Sequence, residues 1–150
     1  MKAVFQRVLS AQVTVDGQPV GRIGSGALVL LGVEQEDTVG TAALLAGKVA
    51  RLRVFSDPSG KFSDSLLDTG GGALVVSNFT LCANCRHGRR PEFLQAARPE
   101  QAQPLYEHFV QCLKDEGVAR VETGVFGADM RVGMEGDGPV TIILDTKDWC

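Results

Sequence analysis

The chain lacks every short signature that would by itself assign phosphate, zinc or serine-nucleophile chemistry. Its 150 residues contain no glycine-rich phosphate loop, no His-Glu-x-x-His pair and no Gly-x-Ser-x-Gly elbow. Histidine is scarce: His87 stands in a polar stretch and His108 on the flank of a helical pattern, so no spacing supports a Ser-His-Asp triad. No apolar run approaches the roughly 20 residues of a membrane span, and the opening Met1–Arg7 is too polar for a secretory leader. A cytoplasmic protein with no membrane partner is expected. The formal net charge of −3 excludes a strong overall pull on nucleic acid, so any RNA contact must come from a local patch.

Cysteine is present but unevenly placed. Cys82, Cys85, Cys112 and Cys150 are expected as free thiols in a reducing compartment. Cys82-x-x-Cys85 with His87 has the look of half a metal site, yet Cys112 and Cys150 do not supply a second ligand pair at zinc spacing. A redox pair opens a helix that lowers its thiol pKa, whereas this one follows a strand and enters a basic loop. No metal and no cofactor are expected.

With 44% hydrophobic and 22% charged residues, the chain has the make-up of one folded domain over residues 1–150. Val4–Val8 and Gln12–Val15 read as strands, and Asp16-Gly17 as the tight turn to a partner strand over Gln18–Ile23. Ala27–Val33 is apolar enough for a strand buried on both faces. Asp37 or Thr38 caps a helix over about residues 39–51, and Arg53-Val54-Phe55 suggests a strand closed by the turn 56–60. Ala73–Leu81 is the strongest strand signal. From Glu100 to Glu116, the stripe Leu105, Phe109, Cys112 and Leu113 predicts a second helix stopped by Gly117. Strands are expected again at 120–122, about 125–134 and 140–144, with an Asp137-Gly138 turn between the last two. These elements make an α+β fold: a single compact domain, a largely antiparallel sheet and two main helices.

Three segments carry candidate chemistry. Arg86, Arg89, Arg90 and Arg98 gather within a short Gly- and Pro-containing stretch with only Glu92 as a nearby acid. Arginine presents a fork of donors that fits phosphate oxygens, although a merely solvated loop has the same composition. Ser77-Asn78-Phe79-Thr80-Leu81 ends an apolar strand with a hydroxyl beside an amide, able to position a substrate; as a nucleophile Thr80 would need a base, and none is close in sequence. Strand alternation would put Asn78 and Thr80 on one face, Ser77 and Phe79 on the other. In Asp137-Gly138-Pro139-Val140-Thr141 the Pro either starts a strand or sits in a cis bond, and cis is the rarer state at X-Pro.

Taken together, the segments resemble the D-aminoacyl-tRNA deacylase family, typified by D-tyrosyl-tRNA(Tyr) deacylase, across essentially the whole chain. Met1–Val8 is similar to that family's first strand, Ser77-Asn78-Phe79-Thr80-Leu81 to its Ser-Gln-Phe-Thr-Leu motif, and Gly136–Thr141 to its Asn-x-Gly-Pro-Val-Thr motif. Gly88-Arg89-Arg90-Pro91 and Glu122–Met130 are further matches, in the same order. The resemblance implies hydrolysis of the ester between a D-amino acid (or glycine) and tRNA, a chiral proofreading step. It implies a homodimer with its active sites at the interface, Ser77, Asn78, Phe79 and Thr80 coming from one subunit, Gly138 and Pro139 from the other. Arg7 would hold the inserted Gly-cisPro. Two carbonyls turned the same way by a cis bond would admit the α-hydrogen of a D-residue and exclude an L side chain. Backbone N–H groups near Phe79 and Thr80 would stabilise the oxyanion, and the terminal ribose hydroxyl would help a water attack.

Two positions depart from the family. Asn78 replaces its Gln, one methylene shorter, and Gly136 replaces its Asn. A related branch that removes L-alanine differs at the Ser and Phe of the first motif, so Ser77 and Phe79 align this chain with the D-specific enzymes. The rival expectation is a catalytically idle RNA-binding dimer on the same fold, giving salt-sensitive tRNA binding without turnover. A thiol- or metal-based regulator built on Cys82, Cys85 and His87 is the other.

Overall fold

The computed structural model describes residues 1–149; Cys150 lies outside the described residues. The first strand, β1 (Lys2–Val15), is one continuous element rather than two, and it turns into β2 (Gln18–Ile23) through Asp16 and Gly17. Both turn residues have positive φ, 50° and 75°, the geometry that matches the twist of a two-residue hairpin. β3 (Gly26–Gly32) follows, then α1 (Val39–Arg51), the small hairpin β4 (Phe55–Ser56) and β5 (Phe62–Asp64), and a short α2 (Leu66–Thr69). β6 (Gly72–Ser77), α3 (Pro99–Glu116), β7 (Arg120–Thr123) and β8 (Arg131–Asp145) complete the order.

The main sheet is mixed: three strand pairings are antiparallel and two, not expected from the sequence, are parallel. β1 carries β3 and β2 in succession along one edge and β8 along the other, all antiparallel, while β3, β6 and β7 lie parallel to one another. Parallel neighbours need a crossover long enough to hold a helix, and α1 and α3 provide those crossovers. Strand periodicity shows which face is buried but not which edge a strand docks on, which is why the sequence pattern missed this.

Two apolar layers fix the sheet. On one face Phe5, Val29, Leu31, Ala73 and Val75 pack against Leu45 and Val49 of α1 and Phe109 and Leu113 of α3. The opposite face curls around Val8, Val13, Ile23, Leu28, Leu74 and Val76. The curl brings β2 against β7 from opposite ends of the sheet order. A Cβ at Gly21 would lie 2.2 Å from the Thr123 carbonyl oxygen, so only glycine permits that closure.

Helix ends follow the chain's capping residues. Thr38 accepts from the Thr41 N–H at 3.3 Å while its own N–H donates to the Thr41 hydroxyl at 3.1 Å, a reciprocal cap on α1. Pro99 starts α3 and Gly117, at φ 103°, ends it. No helix is long and apolar enough to cross a membrane among the described residues.

Four expected boundaries move. The strand expected to reach Leu81 stops at Ser77 and turns into a 3-10 turn over Phe79–Cys82. The segment expected as a strand from about 125 becomes one only at Arg131, and β4 keeps only Phe55 of the expected Arg53-Val54-Phe55. Asp137-Gly138 is not a hairpin turn. β8 runs straight through it, with Gln6 opposite Thr141 and Val8 opposite Gly136, so Arg7 alone faces Asp137–Val140. The surplus residues leave the ladder as a wide bulge, and the Gly138–Pro139 peptide within it is cis.

Candidate active site

The end of β6 delivers the first candidate group. Asn78 has extended backbone angles (φ −149°, ψ 90°) and caps the 3-10 turn that follows. Its carboxamide oxygen accepts from both the Thr80 N–H at 3.2 Å and the Thr80 hydroxyl at 2.5 Å. The backbone of Asn78 is itself tied to β3, its N–H donating to the Leu31 carbonyl at 2.8 Å. Asn78 and Thr80 therefore meet through a cap and not through strand alternation. An amide oxygen accepts a hydrogen bond but cannot take the proton, so this contact holds the Thr80 hydroxyl without activating it. The Thr80 N–H is likewise committed to the cap.

Ser77, Asn78 and Phe79 open onto a cavity of about 460 Å³ between the helix-covered sheet face, the start of α3 and the segment 126–130. Its walls are largely apolar, with Leu31, Val33, Ala102, Tyr106, Phe126 and Met130 among them. Tyr106, fixed by donating its hydroxyl to the Val75 carbonyl at 2.8 Å, leans on Phe126 with ring centroids 5.8 Å apart. Burial pushes the Tyr106 phenol up to about 12, so it stays a neutral donor at physiological pH. Phe79 is 57% exposed at the cavity mouth and meets Phe93 edge-on at 5.0 Å. None of these wall residues beyond Ser77–Phe79 was singled out from sequence. Tyr106 sits beside Leu105 in the apolar stripe of α3, and Phe126 and Met130 belong to the Glu122–Met130 match, but pattern alone does not separate a cavity wall from a core.

Gly138 and Pro139 are exposed on the β8 bulge, and neither lines this cavity. Gly138 has φ 128°, and a Cβ there would sit 2.9 Å from the Val140 N and Cγ2 and 3.3 Å from Arg7 Nη2. Arg7, only 9% exposed, is held from several sides. Its Nε donates to the Asp137 carbonyl at 3.1 Å and lies 3.2 Å from the Asp137 carboxylate, while Nη1 donates to the Val54 carbonyl at 2.8 Å. Its guanidinium also stands 5.3 Å from the Phe62 ring centroid. Within one chain, then, Arg7 is brought to Gly138, but the Gly138-Pro139 segment and the Ser77–Thr80 segment are not brought into one cavity.

The arginine segment forms an excursion rooted beside the same cavity. Asn84 and Glu92 pair across its base through N–H to carbonyl bonds of 2.8 and 3.0 Å, and the Asn84 amide donates to the Glu92 carboxylate at 2.9 Å. The one nearby acid is thereby occupied at the root. Arg86, Arg89 and Arg90 are exposed beyond it, and among the described residues no ion pair neutralises them.

Cys82 ends the 3-10 turn and Cys85 lies at the root of the arginine excursion. Cys82, Cys85 and Cys112 are free. Cys82 is buried, and burial with the Glu34 charge nearby pushes its thiol up to about 11, the reverse of what a reactive thiolate needs. Among the described residues no three His, Cys, Asp or Glu side chains gather closely enough to hold a metal.

Comparison with known proteins bears on the same segments. A family model described as D-Tyr-tRNA(Tyr) deacylase matches residues 4–145. A D-aminoacyl-tRNA deacylase of Thermus aquaticus is 55% identical over 99% of this chain and 97% of its own length. One from Pelobacter propionicus is 56% identical over 97% of this chain and 99% of its own. Among solved structures, one titled c-Myc DNA Unwinding Element Binding Protein superposes with a TM-score of 0.91 at 44% identity, covering 97% of this chain and 98% of that one. A probable eukaryotic D-amino acid tRNA deacylase shares the fold at 18% identity, with a TM-score of 0.80 over 95% of this chain and 97% of that one.

Proposed function

Because the chain belongs to the D-Tyr-tRNA(Tyr) deacylase family and hydrolyses the ester that links a D-amino acid to tRNA, we propose that each of its active sites is assembled from two copies of the chain. In this arrangement Ser77, Asn78, Phe79 and Thr80 of one subunit hold the ester, and the Gly138-Pro139 bulge of the other selects its chirality. The observation that carries this is the separation itself: the bulge is displayed outward, braced from behind by Arg7, and does not reach its own chain's cavity.

The surface around the bulge supports the pairing. β8 is a mostly exposed 15-residue edge strand with Val132, Met134 and Ile143 42%, 51% and 79% exposed. A long apolar edge is a liability unless something covers it, and a second copy of the same strand would do so by two-fold symmetry.

The terminal adenosine and the aminoacyl group enter the apolar cavity, and the preceding phosphates run towards Arg86, Arg89 and Arg90. Water is the nucleophile, helped by the terminal ribose hydroxyl, because the Thr80 hydroxyl is already donated to an amide that cannot act as a base. With the Thr80 N–H bound to Asn78, the Phe79 N–H is the backbone donor left to meet the developing oxyanion. A bulge that rejects an L side chain by contact has nothing to reject in glycine, so glycyl esters are also cleaved. The reaction takes place in the cytoplasm, where tRNA is charged.

Mixed dimers test the two-chain site. Subunits carrying Thr80→Ala are expected to turn over slowly, and subunits carrying Gly138→Ala to lose their preference for D-esters. Combined, they should regain fast turnover confined to the D-ester, since one site of each mixed dimer receives only intact groups. Absence of any recovery despite mixed dimers forming would place both groups on the same chain's site and overturn the assembly.

A further inference from the structure

The β4–β5 hairpin puts a large aromatic ring where a surface hairpin has no folding use for one. Phe62 is 55% exposed, contributes little to the core, and directs its ring at Arg7, whose guanidinium carbon lies 5.3 Å from the ring centroid. The hairpin reaches Arg7 twice, because the Val54 carbonyl just before β4 accepts from Arg7 Nη1 at 2.8 Å. Arg7 also meets Asp137, and its Nη2 lies 3.3 Å from where a Cβ on Gly138 would stand. The guanidinium is thus clasped between the hairpin and the bulge.

We infer that Phe62 is a positioning residue for chiral selection: its ring face holds the Arg7 guanidinium in the plane from which it braces Asp137-Gly138-Pro139. The inference rests on the proposed selecting role of that bulge. The physical case is that Arg7 alone has long, rotatable side-chain torsions. Hydrogen bonds to Val54 and Asp137 fix two of its nitrogens, and a flat, electron-rich face adds restraint against tilting about the line between them. Aliphatic bulk at position 62 would fill the same space without that attraction. The hairpin is itself stiffened by Asp57, whose carboxylate accepts from the Ser59 N–H at 2.8 Å, the Lys61 N–H at 3.0 Å and the Ser63 hydroxyl at 2.7 Å.

The test compares kcat/KM on D-tyrosyl-tRNA and L-tyrosyl-tRNA for the parent dimer, Phe62→Leu, Phe62→Tyr, Arg7→Ala and the Arg7→Ala, Phe62→Leu double variant. Phe62→Leu should lower the D-to-L ratio by about five-fold, the scale of an exposed cation–π contact, with an unchanged melting temperature. Phe62→Tyr, which keeps the ring face, should preserve the ratio. In the double variant the leucine should add nothing to the loss caused by Arg7→Ala, because both act along one route. A parental ratio in Phe62→Leu beside a reduced one in Arg7→Ala would overturn the role of Phe62 and leave the two-chain site intact. Equal losses in Phe62→Leu and Phe62→Tyr, or additive losses in the double variant, would overturn it as well. An unchanged ratio in Arg7→Ala would remove both this inference and the bracing role of Arg7 beneath it.

Discussion

Two residues carry most of the chemistry proposed for this site. At Gly138 the backbone angle and the surroundings agree: φ is 128°, and any Cβ would press on Val140 and Arg7. Gly138→Ala should therefore reshape the bulge and reduce the D-to-L ratio of kcat/KM at least ten-fold, about 1.4 kcal/mol of discrimination, in a protein that still folds. Asn78 is the second. Its side chain both caps a 3-10 turn and holds the Thr80 hydroxyl, so Asn78→Ala should cost about 1 kcal/mol of stability and lower kcat on D-tyrosyl-tRNA, read by melting temperature and single-turnover kinetics. Both residues were visible in the sequence as motif members, and Asn78 as a departure from the family's Gln. What was not visible was how it meets Thr80: alternation puts both on one face of a strand, whereas the amide holds the hydroxyl because the strand gives way to a tight turn. Phe62 and Tyr106 gave no signal at all: each is a single aromatic whose use depends on a neighbour far away in sequence.

Elements differ in how far local pattern determined them. The limits of the two main helices were legible to within a residue because their signals are local: Thr38 and Gly117 act within one turn of themselves. The β8 bulge was not, since register depends on how β1 lies against β8 across more than a hundred residues of chain. The β4–β5 hairpin is held by a local device with a defined pH range. Hydrogen bonds from Ser59, Ser63 and Lys61 lower the Asp57 carboxyl to about 2. A depressed carboxylate stabilises the hairpin fully above its ordinary value near 4 and loses that contribution as pH falls towards 2. Amide-exchange protection at Ser59 and Lys61 should accordingly be flat from pH 7 to 4, and Asp57→Ala should abolish it at every pH. The arginine excursion is a different kind of element, built for charge and not for packing. Arg89→Ala and Arg90→Ala should each weaken tRNA binding and reduce the salt dependence of log K by about one unit of slope, with the D-to-L ratio unaltered.

At the scale of the whole molecule, a mixed sheet covered by helices on one side leaves β8 and its bulge facing outward. The proposed dimer gives that strand a purpose. Sedimentation should report twice the chain mass of 16.0 kDa. Ile143→Asp, at a side chain 79% exposed in the single chain, should yield folded monomers with little turnover. Chirally selective hydrolysis is read out by a deacylation time course of the purified protein on D-tyrosyl-tRNA and L-tyrosyl-tRNA side by side. Rapid loss of the D-ester with the L-ester preserved is the predicted result. Loss of both at one rate would contradict chiral selection by the bulge, and preservation of both despite tight tRNA binding would identify an idle RNA-binding protein on this fold.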